Sequence, residues 1–351
     1  MPLGLQKASL NFDLIKEIGA AGKNSKVYLA NDHQLSSQIV IKKIDKTTLT
    51  YEGEFYKEAK ILYNHEHANI ARVNYGCEDD LFVYIAMPYY RNGSLKDLLD
   101  KRFLSVREII RYSIQFLSGL SHIHANKLLH FDVKPDNIFL TDSDEAVLAD
   151  FGLAKAMDIY NIAVQEYVYM KQVPPEAFKG LAQSFGFDIY LAGLTIYRLC
   201  NGAVNFDEQF IAISTSEEEY EQAVTTGQFP ARDSYLYHIP PGLIKAINKS
   251  LSLEPSDRHK NALELINDLA AVNLYLDWKY EEDVNTKRWF IDKGDKRINI
   301  IVSKNGHDFD VTTRKAIISS GKESKVSEFC VTKIISKDLK KFVQKALKEL
   351  S

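Results

Sequence analysis

The sequence predicts an α+β fold in which a strand-rich lobe precedes a helical lobe, and a small domain of antiparallel strands and one helix ends the chain. Three observations predict it. Runs rich in β-branched residues fall between residues 12 and 45, apolar residues recur at helical spacing between 105 and 125, and short strand-like runs return after about residue 274. Strands and helices therefore occupy separate blocks, as is typical of α+β chains.

The bulk composition predicts a soluble globular protein. The chain has 351 residues, of which 45% are hydrophobic and 26% charged, enough for two or three domains with a sizeable core. The net charge is −3, but residues 284–351 carry 16 Lys and Arg against 8 Asp and Glu, so +8, and the remainder carries −11. A basic tail leaves nucleic acid open as a partner, beside the alternative of a solvated surface.

Cysteine usage and the N-terminal segment give no sign of an exported or membrane protein. Cys77, Cys200 and Cys330 lie far apart and form no C-x-x-C or Cys/His cluster, which favours reduced thiols over a disulfide framework or a zinc site. No secretory signal and no stretch of 18 uncharged apolar residues occurs. We expect a cytoplasmic protein without a membrane partner.

The small lobe is predicted to contain three successive strands, F-D-L-I-K-E-I, K-V-Y-L-A and Q-I-V-I-K-K-I. The turn between the first two, G-A-A-G-K-N-S-K-V, contains Gly19 and Gly22, and glycine lets a backbone approach a ligand closely. Lys42 lies near the end of the third strand. The next segment predicts a helix in which apolar residues surround Glu58 at helical spacing.

The large lobe is predicted to begin with two helices. Ser94 can cap a short one, and the segment from Ser105 to Ala125 reads as a long amphipathic helix. The apolar side of this helix contains Ile109, Ile110, Ile114, Leu117, Leu120 and Ile123. The helix leads into a short polar turn between two apolar runs, residues 129–140, which reads L-H-F-D-V-K-P-D-N-I-F-L.

The polar groups of this turn suit phosphoryl transfer. Asp132 can accept a hydroxyl proton, Lys134 can neutralise a γ-phosphate, and Asn137 can hold a metal ion. Asp150, in A-D-F-G, stands where a second metal ligand is needed. Phosphoryl transfer depends mainly on positioning and charge neutralisation, so a carboxylate, a lysine and two metal ligands are the groups that this chemistry needs.

The pattern H-x-D-x-K-x-x-N followed by D-F-G resembles the catalytic signature of protein kinases, and the resemblance extends from about Asn11 to Asn273. It implies a bilobal kinase fold with a small lobe at 1–87 and a large lobe at 88–273, joined by a hinge at 88–93. It also implies ATP and Mg²⁺ as cofactors, with Asn137 and Asp150 as the metal ligands.

The same resemblance implies a nucleotide site and an ion pair. Lys42 matches the strand lysine that holds the α- and β-phosphates, and Glu58 matches its helical partner. Gly22 falls on a glycine position of the phosphate-covering loop, Gly19 is displaced by one, and Ser25 replaces a glycine. The expected nucleotide-binding set is Gly19, Gly22, Ser25, Val27, Val40, Lys42, Met87, Pro88, Tyr90 and Phe139.

Two departures bear on regulation. Phe131 stands where most kinases place an arginine that pairs with a phosphate on the activation loop, so the resemblance implies a kinase of the non-RD type. The loop from Gly152 to Pro174 contains no Ser or Thr. We therefore expect activity that does not depend on Ser/Thr phosphorylation of this loop. We expect Tyr160, Tyr167 and Tyr169 to be packing residues, with tyrosine phosphorylation as the alternative.

Further motifs favour a protein substrate with Ser or Thr acceptors. V-P-P-E and E-P-S-D-R resemble the family segments that pair Glu176 with Arg258, and Asp188 matches the aspartate that supports the catalytic loop. Small-molecule phosphotransferases usually lack these features. Lys134 matches Ser/Thr kinases rather than tyrosine-specific relatives.

Residues 274–351 predict an accessory domain of unassigned family. Short strand-like runs suggest an antiparallel meander, and Asn305-Gly306 is a strong hairpin signal. Ser336 is expected to cap a final amphipathic helix. Trp278 and Trp289 are expected to be core residues, with base stacking as the alternative.

The leading hypothesis is an ATP- and magnesium-dependent Ser/Thr protein kinase that phosphorylates proteins, including itself, with Ser25 as one candidate site. Two alternatives stay open. The eroded glycine loop allows a pseudokinase scaffold, and the basic tail allows a nucleic-acid-binding or partner-binding module.

Overall fold

The computed structural model describes residues 10–18, 25–48, 56–163, 170–180 and 182–351, without the side chains of Lys57, Glu58 and Met170. Within these ranges the chain forms a strand-rich lobe, a helical lobe and a C-terminal sheet covered by a helix. The α+β architecture predicted from the sequence is therefore confirmed. No helix among these residues is long and apolar enough to cross a membrane.

The small lobe is a five-stranded antiparallel sheet with one helix. Its elements are β1 (Phe12–Glu17), β2 (Ser25–Asp32), β3 (Ser37–Asp45), α1 (Lys57–Asn64), β4 (Tyr75–Glu78) and β5 (Phe82–Pro88). The strand order is β1-β2-β3-β5-β4. Ala30, Ile39, Ile41 and Ala86 are buried on one face. Because side chains alternate along a strand, Val40 and Lys42 lie on the opposite face of β3.

The large lobe is built from helices around one apolar core. These are α2 (Leu95–Leu99), α3 (Val106–Ala125), α4 (Pro175–Phe178), α5 (Phe185–Asn201), α6 (Ala203–Ile213), α7 (Glu217–Thr225), α8 (Pro241–Ser250) and α9 (Ala262–Ala270). Ser94 and Ser105 each form a capping box, with Asp97 and Glu108 respectively. The predicted cap at Ser94 is confirmed, whereas Ser105 precedes α3 as its cap instead of beginning the helix. In both capping boxes the serine accepts from one backbone amide while the acidic residue accepts from another.

Four short strands frame the polar turn that follows α3. They are β6 (Leu128–Leu129), β7 (Ile138–Leu140), β8 (Ala146–Leu148) and β9 (Lys155–Ala156), paired as β6-β9 and β7-β8. The two lobes meet here, since the backbone of Asn69 and Ala71 is hydrogen-bonded to Leu148. These pairings hold residues 130–137 and Asp150 next to one another.

The C-terminal domain is a six-stranded antiparallel sheet covered by α10 (Ser336–Glu349). Its strands are β10 (Lys279–Glu282), β11 (Thr286–Lys293), β12 (Lys296–Asn305), β13 (Asp308–Ile317), β14 (Glu323–Lys325) and β15 (Val331–Ile334). A hairpin forms here as predicted, but its two turn residues are Gly306 and His307, because Asn305 still pairs with Asp308; Gly306 has a φ of +64°. Ser336 is not the cap: it is the first helical residue and Ile335 precedes the helix without a side-chain cap.

This domain packs against the large lobe through aromatic residues. The indole nitrogen of Trp289 donates to Nδ1 of His238 at 3.2 Å, and Tyr237 stacks on the same indole with ring centroids 5.7 Å apart. Burial lowers the pKa of His238 to about 4. A neutral ring suits this contact, because a protonated Nδ1 could not accept the hydrogen bond. Trp278 and Trp289 are both buried, as expected for core residues.

We predict that Trp289→Ala lowers the free energy of unfolding by about 3–5 kcal/mol, because it leaves a cavity and removes the partner of His238. Urea denaturation followed by circular dichroism measures this. Val284→Ala is the matched control, since Val284 is 95% exposed in the same domain. Equal, small losses for both variants would contradict the packing role of Trp289.

Candidate phosphoryl-transfer site

The polar turn after α3 is held by one buried carboxylate. Oδ2 of Asp188 accepts from the backbone amide of His130 and Oδ1 accepts from that of Phe131, both at 2.8 Å. Asp188 comes from α5 and is completely buried. Burial raises its pKa, but the hydrogen bond and charge of His124 and the bonds to the turn outweigh burial and hold the pKa below its ordinary value.

Phe131 takes an unusual backbone conformation at this point. Its φ is +66°, in the left-handed region that side chains other than glycine rarely adopt. The strain is offset by the bond to Asp188 and by edge-to-face packing on Phe187, with ring centroids 5.1 Å apart. The ring is 2% exposed. Phe131 is thus a core residue that orients the backbone just before Asp132.

The carboxylate of Asp132 is fixed by two neighbours in the turn. Lys134 Nζ lies 2.8 Å from Oδ1 and 2.7 Å from Oδ2, and Asn137 Nδ2 donates to Oδ2 at 2.7 Å. Asn137 also donates to the backbone carbonyl of Asp132 at 3.0 Å. Because its amide hydrogens point to Asp132, the carbonyl oxygen of Asn137 points elsewhere. The three residues singled out in this turn are therefore in direct contact.

His130 links this turn to the segment that carries Asp150. Its Nε2 lies 3.1 Å from the carbonyl of Ala149, and its Nδ1 lies 3.2 Å from the amide of Asp132. Burial lowers its pKa, so the ring is neutral, with the proton on Nε2 and the lone pair on Nδ1. Phe151 packs edge-on against the ring at 4.7 Å. One neutral ring thus sets the spacing between Asp132 and Asp150.

Asp150 is bound by the strand lysine of the small lobe. Lys42 Nζ lies 3.3 Å from Oδ1 of Asp150, whose side chain is 47% exposed. Loss of hydration tends to raise the pKa of Asp150, but the charge and hydrogen bond of Lys42 hold it below its ordinary value. The contact joins the two lobes across the cleft between them.

Four of the predicted nucleotide-binding residues that the structure describes share one face of the small-lobe sheet. Val27 pairs with Lys42 between β2 and β3, and Val40 pairs with Met87 between β3 and β5. Residues opposite each other in an antiparallel sheet share a face, so these four side chains line one side of the sheet. Of the other predicted residues, Pro88 ends β5 and Ser25 begins β2. The rings of Tyr90 and Phe139 stack with their centroids 5.7 Å apart.

Parts of the predicted site lie outside the described residues. Gly19 and Gly22 are among them, and so is the side chain of Glu58, although its backbone belongs to α1. The ion pair between Lys42 and Glu58 therefore stays a prediction. Tyr160 is described and is 76% exposed, so the expectation that it packs in the loop is wrong, whereas Tyr167 and Tyr169 lie outside the described residues.

The donor set fits a magnesium ion shared with phosphates. Asn137 offers an amide oxygen and Asp150 a carboxylate, the hard oxygen ligands that Mg²⁺ prefers. No group of three or more His, Cys, Asp or Glu side chains among the described residues could hold a metal ion. Because Mg²⁺ usually combines one or two protein ligands with water and substrate phosphates, two protein oxygens beside a phosphate site suit it.

Several supporting contacts were not identified from the sequence. Nε2 of His124 lies 2.8 Å from Asp188, and Oγ1 of Thr195 donates to the carbonyl of Val133 at 3.0 Å. Both residues are buried and far from the turn in the chain, so no local pattern marks them. The expected pair was found: Arg258 binds both carboxylate oxygens of Glu176 at 2.7 Å. It fixes the chain where the activation loop ends.

Comparisons with known proteins agree with this geometry. Residues 12–269 match the family model for the protein kinase domain. A probable serine/threonine-protein kinase of Clostridium acetobutylicum is 29% identical over 271 residues, which cover 75% of this chain and 40% of that protein. The serine/threonine-protein kinase PrkC of Bacillus subtilis is 27% identical over 273 residues, covering 75% of this chain and 41% of PrkC.

A mammalian protein is similar over a shorter stretch. The serine/threonine-protein kinase Nek5 of Mus musculus is 35% identical over 199 residues, covering 54% of this chain and 31% of Nek5. The chain spans about two fifths of the length of the two bacterial relatives. The family model stops before β10, so the C-terminal domain lies outside it.

We predict that Lys42→Met raises the pKa of Asp150, because the substitution removes the charge and the hydrogen bond that lower it. Carboxyl ¹³C NMR titration measures the change. In the wild type, the pair stabilises the fold above the ordinary pKa of 3.8, and this contribution is lost as the pH falls through the lower folded-state pKa. Lys43→Met is the control, since Lys43 lies over Phe82. An identical titration in both variants would disprove the contact.

Proposed function

Because the chain belongs to the protein kinase family, we propose that it is a Ser/Thr protein kinase that transfers the γ-phosphoryl group of MgATP to protein hydroxyl groups. One observation carries the proposal. Asp132 is held by Lys134 and Asn137 in one turn, next to the segment in which Asp150 binds Lys42. These are the groups that phosphoryl transfer needs, and they come from both lobes.

In the proposed reaction, the acceptor hydroxyl oxygen bonds to the γ-phosphorus while its proton passes to Asp132. The bond between the γ-phosphorus and the bridging oxygen breaks, and ADP leaves with the electron pair. Oδ1 of Asp132 suits the proton better than Oδ2, since Oδ2 accepts from both Lys134 and Asn137. Lys134 also offsets the negative charge of the transferring group.

The remaining roles follow from position. Lys42 is proposed to hold the α- and β-phosphates, supported by Glu58, and the described strand residues to contact the nucleotide. Asn137 and Asp150 are proposed to hold magnesium, which when bound neutralises phosphate charge and orients the phosphates. Ser25, half-buried at the start of β2, is proposed as a site of autophosphorylation.

The substrate class rests on three supports. The relatives PrkC and Nek5 are named serine/threonine-protein kinases, and Lys134 contacts Asp132 directly. The pair between Arg258 and Glu176 fixes the chain beside the cleft, as suits a site that receives a polypeptide. The alternative of base stacking by the C-terminal domain loses its support, because Trp278 and Trp289 are buried. Nucleic acid is therefore not part of this proposal.

We further propose that activity does not depend on Ser/Thr phosphorylation of the activation loop. An arginine that reads such a phosphate is absent, because Phe131 is packed in the core at that position. The loop also lacks Ser and Thr between Gly152 and Pro174. The arginine that would bind a loop phosphate and the Ser or Thr that would carry it are therefore missing together, and the turn is positioned by Asp188 instead.

We predict that Asp132→Asn lowers phosphate transfer from γ-labelled ATP to a generic protein acceptor by roughly 10²–10⁴-fold, because it removes the proton acceptor. The matched control is Asp142→Asn, an exposed aspartate in the turn after β7, which should keep wild-type activity. Equal activity in all three proteins would exclude Asp132 from catalysis. Nucleotide binding without any transfer in the wild type would favour a pseudokinase scaffold.

We predict that phosphatase treatment of the purified protein leaves its initial rate of transfer unchanged, since Phe131 cannot read a loop phosphate. The rate is measured before and after treatment, with mass mapping of residues 152–174. A loss of activity together with removal of a phosphate from Tyr160 or another loop tyrosine would contradict this prediction. A kinase known to need its loop phosphate serves as the control for the phosphatase.

A further inference from the structure

The hairpin between β13 and β14 is an exposed and lightly held part of the C-terminal domain. Residues 317–325 are all exposed, and β14 is a three-residue edge strand that pairs only with β13. Ile317 and Ile318 are 37% and 51% exposed at its turn. Segments with little burial open at low free-energy cost, so this hairpin can present its residues in an extended form.

Two adjacent serines at the turn differ in their contacts. Ser319 is hydrogen-bonded twice to Asp295: its hydroxyl donates to Oδ2 at 2.6 Å and its backbone amide donates to Oδ1 at 2.9 Å. The hydroxyl of Ser320 only accepts from the amide of Lys322, at 3.4 Å, so its hydrogen has no acceptor among the described residues. Ser320 is therefore the better acceptor for a phosphoryl group.

The hairpin is basic, and the surface beside the activation loop is acidic. Residues 314–325 contain four Lys or Arg and one Glu, whereas residues 201–231 contain six Asp or Glu and no Lys or Arg. The acidic stretch, α6 and α7, borders the end of the loop: Asp207 binds Lys171 at 3.1 Å and Tyr220 packs on Phe178 at 5.9 Å. Opposite charges on the two surfaces favour their encounter.

The position of the domain favours a second copy of the chain as the source of the hairpin. The domain is held at the N-terminal end of α3. There the side chain of Arg107 binds Asp277 at 2.6 Å, and the backbone amide of Arg107 donates to the carbonyl of Leu276. The catalytic turn follows the other end of this 20-residue helix, about 30 Å away. A chain would have to release its domain to reach its own Asp132, whereas a neighbouring copy would not.

We infer that Ser320 is phosphorylated by a second copy of this chain, which makes the basic hairpin a substrate of the acidic surface beside the active site. This rests on the proposed kinase function. Oγ of Ser320 bonds to the γ-phosphorus of ATP, its proton passes to Asp132 of the acting copy, and ADP leaves with the bridging oxygen. The product is a phosphoserine flanked by Lys322 and Lys325.

The experiment uses two full-length chains. The wild type acts on an Asp132→Asn chain labelled with ¹⁵N, in the presence of MgATP and a generic protein acceptor, and peptides are mapped by mass spectrometry. We expect phosphate on Ser320 of the labelled chain, at a rate that rises with wild-type concentration. Ser320→Ala in the labelled chain should abolish it, while Ser319→Ala should retain it. Lys322→Glu with Lys325→Glu should slow it roughly tenfold.

Each contrary result has a distinct meaning. Labelling of the generic acceptor without Ser320 would overturn this inference and leave the proposed function intact. Phosphate on Ser320 of the active chain alone, at a rate independent of concentration, would overturn the role of a second copy. An unchanged rate after charge reversal would overturn the acidic docking surface. No transfer to any acceptor would overturn the proposed function and this inference together.

Discussion

Asp188 accepts the backbone amides of His130 and Phe131 from inside the large lobe, and the position of Asp132 follows from these two bonds. A buried carboxylate is costly unless it is paired, and here His124 at 2.8 Å provides the pairing. Asp188 lies on α5, whose residues from Phe187 to Asn201 are all buried. The turn is thus tied to a buried helix of the large lobe, which suits the precise positioning that reacting groups require.

The hydrogen bond between Asp188 and the backbone amide of Phe131 explains why a phenylalanine can replace the arginine usual in related kinases. The left-handed φ of Phe131 is held by Asp188, and its ring fills an apolar site against Phe187. An arginine packed this deeply would need an opposing charge, which a loop phosphate supplies where one exists. Without that phosphate the apolar ring is the more stable choice. The phenylalanine at this position therefore removes the phosphate-dependent switch and, at the same time, fills the core.

Sequence reasoning succeeded where chemistry fixes residue identity within a short span. Asp132, Lys134 and Asn137 fall within six residues, so their contact could be expected from spacing alone. Sequence reasoning failed where the structure depends on residues that are distant in the chain, or where a neighbouring residue takes the predicted position. Ser336, which was expected to cap the last helix, begins α10 instead. The contact of Trp289 with His238, 51 positions away, has no local signature at all.

That distant contact also gives the charge pattern of the chain a structural meaning. Trp289 and Tyr237 hold the C-terminal domain on the large lobe through apolar and neutral groups, since His238 is uncharged, and the ion pair between Arg107 and Asp277 adds a charged contact. The domain's lysines and arginines take no part in this contact, and the hairpin cations around Lys322 are exposed to solvent. Residues 284–351 of this domain carry a net charge of +8, and the rest of the chain carries −11. The basic surface of this domain can therefore attract acidic surfaces of other molecules. A second copy of the chain carries such an acidic surface on its large lobe.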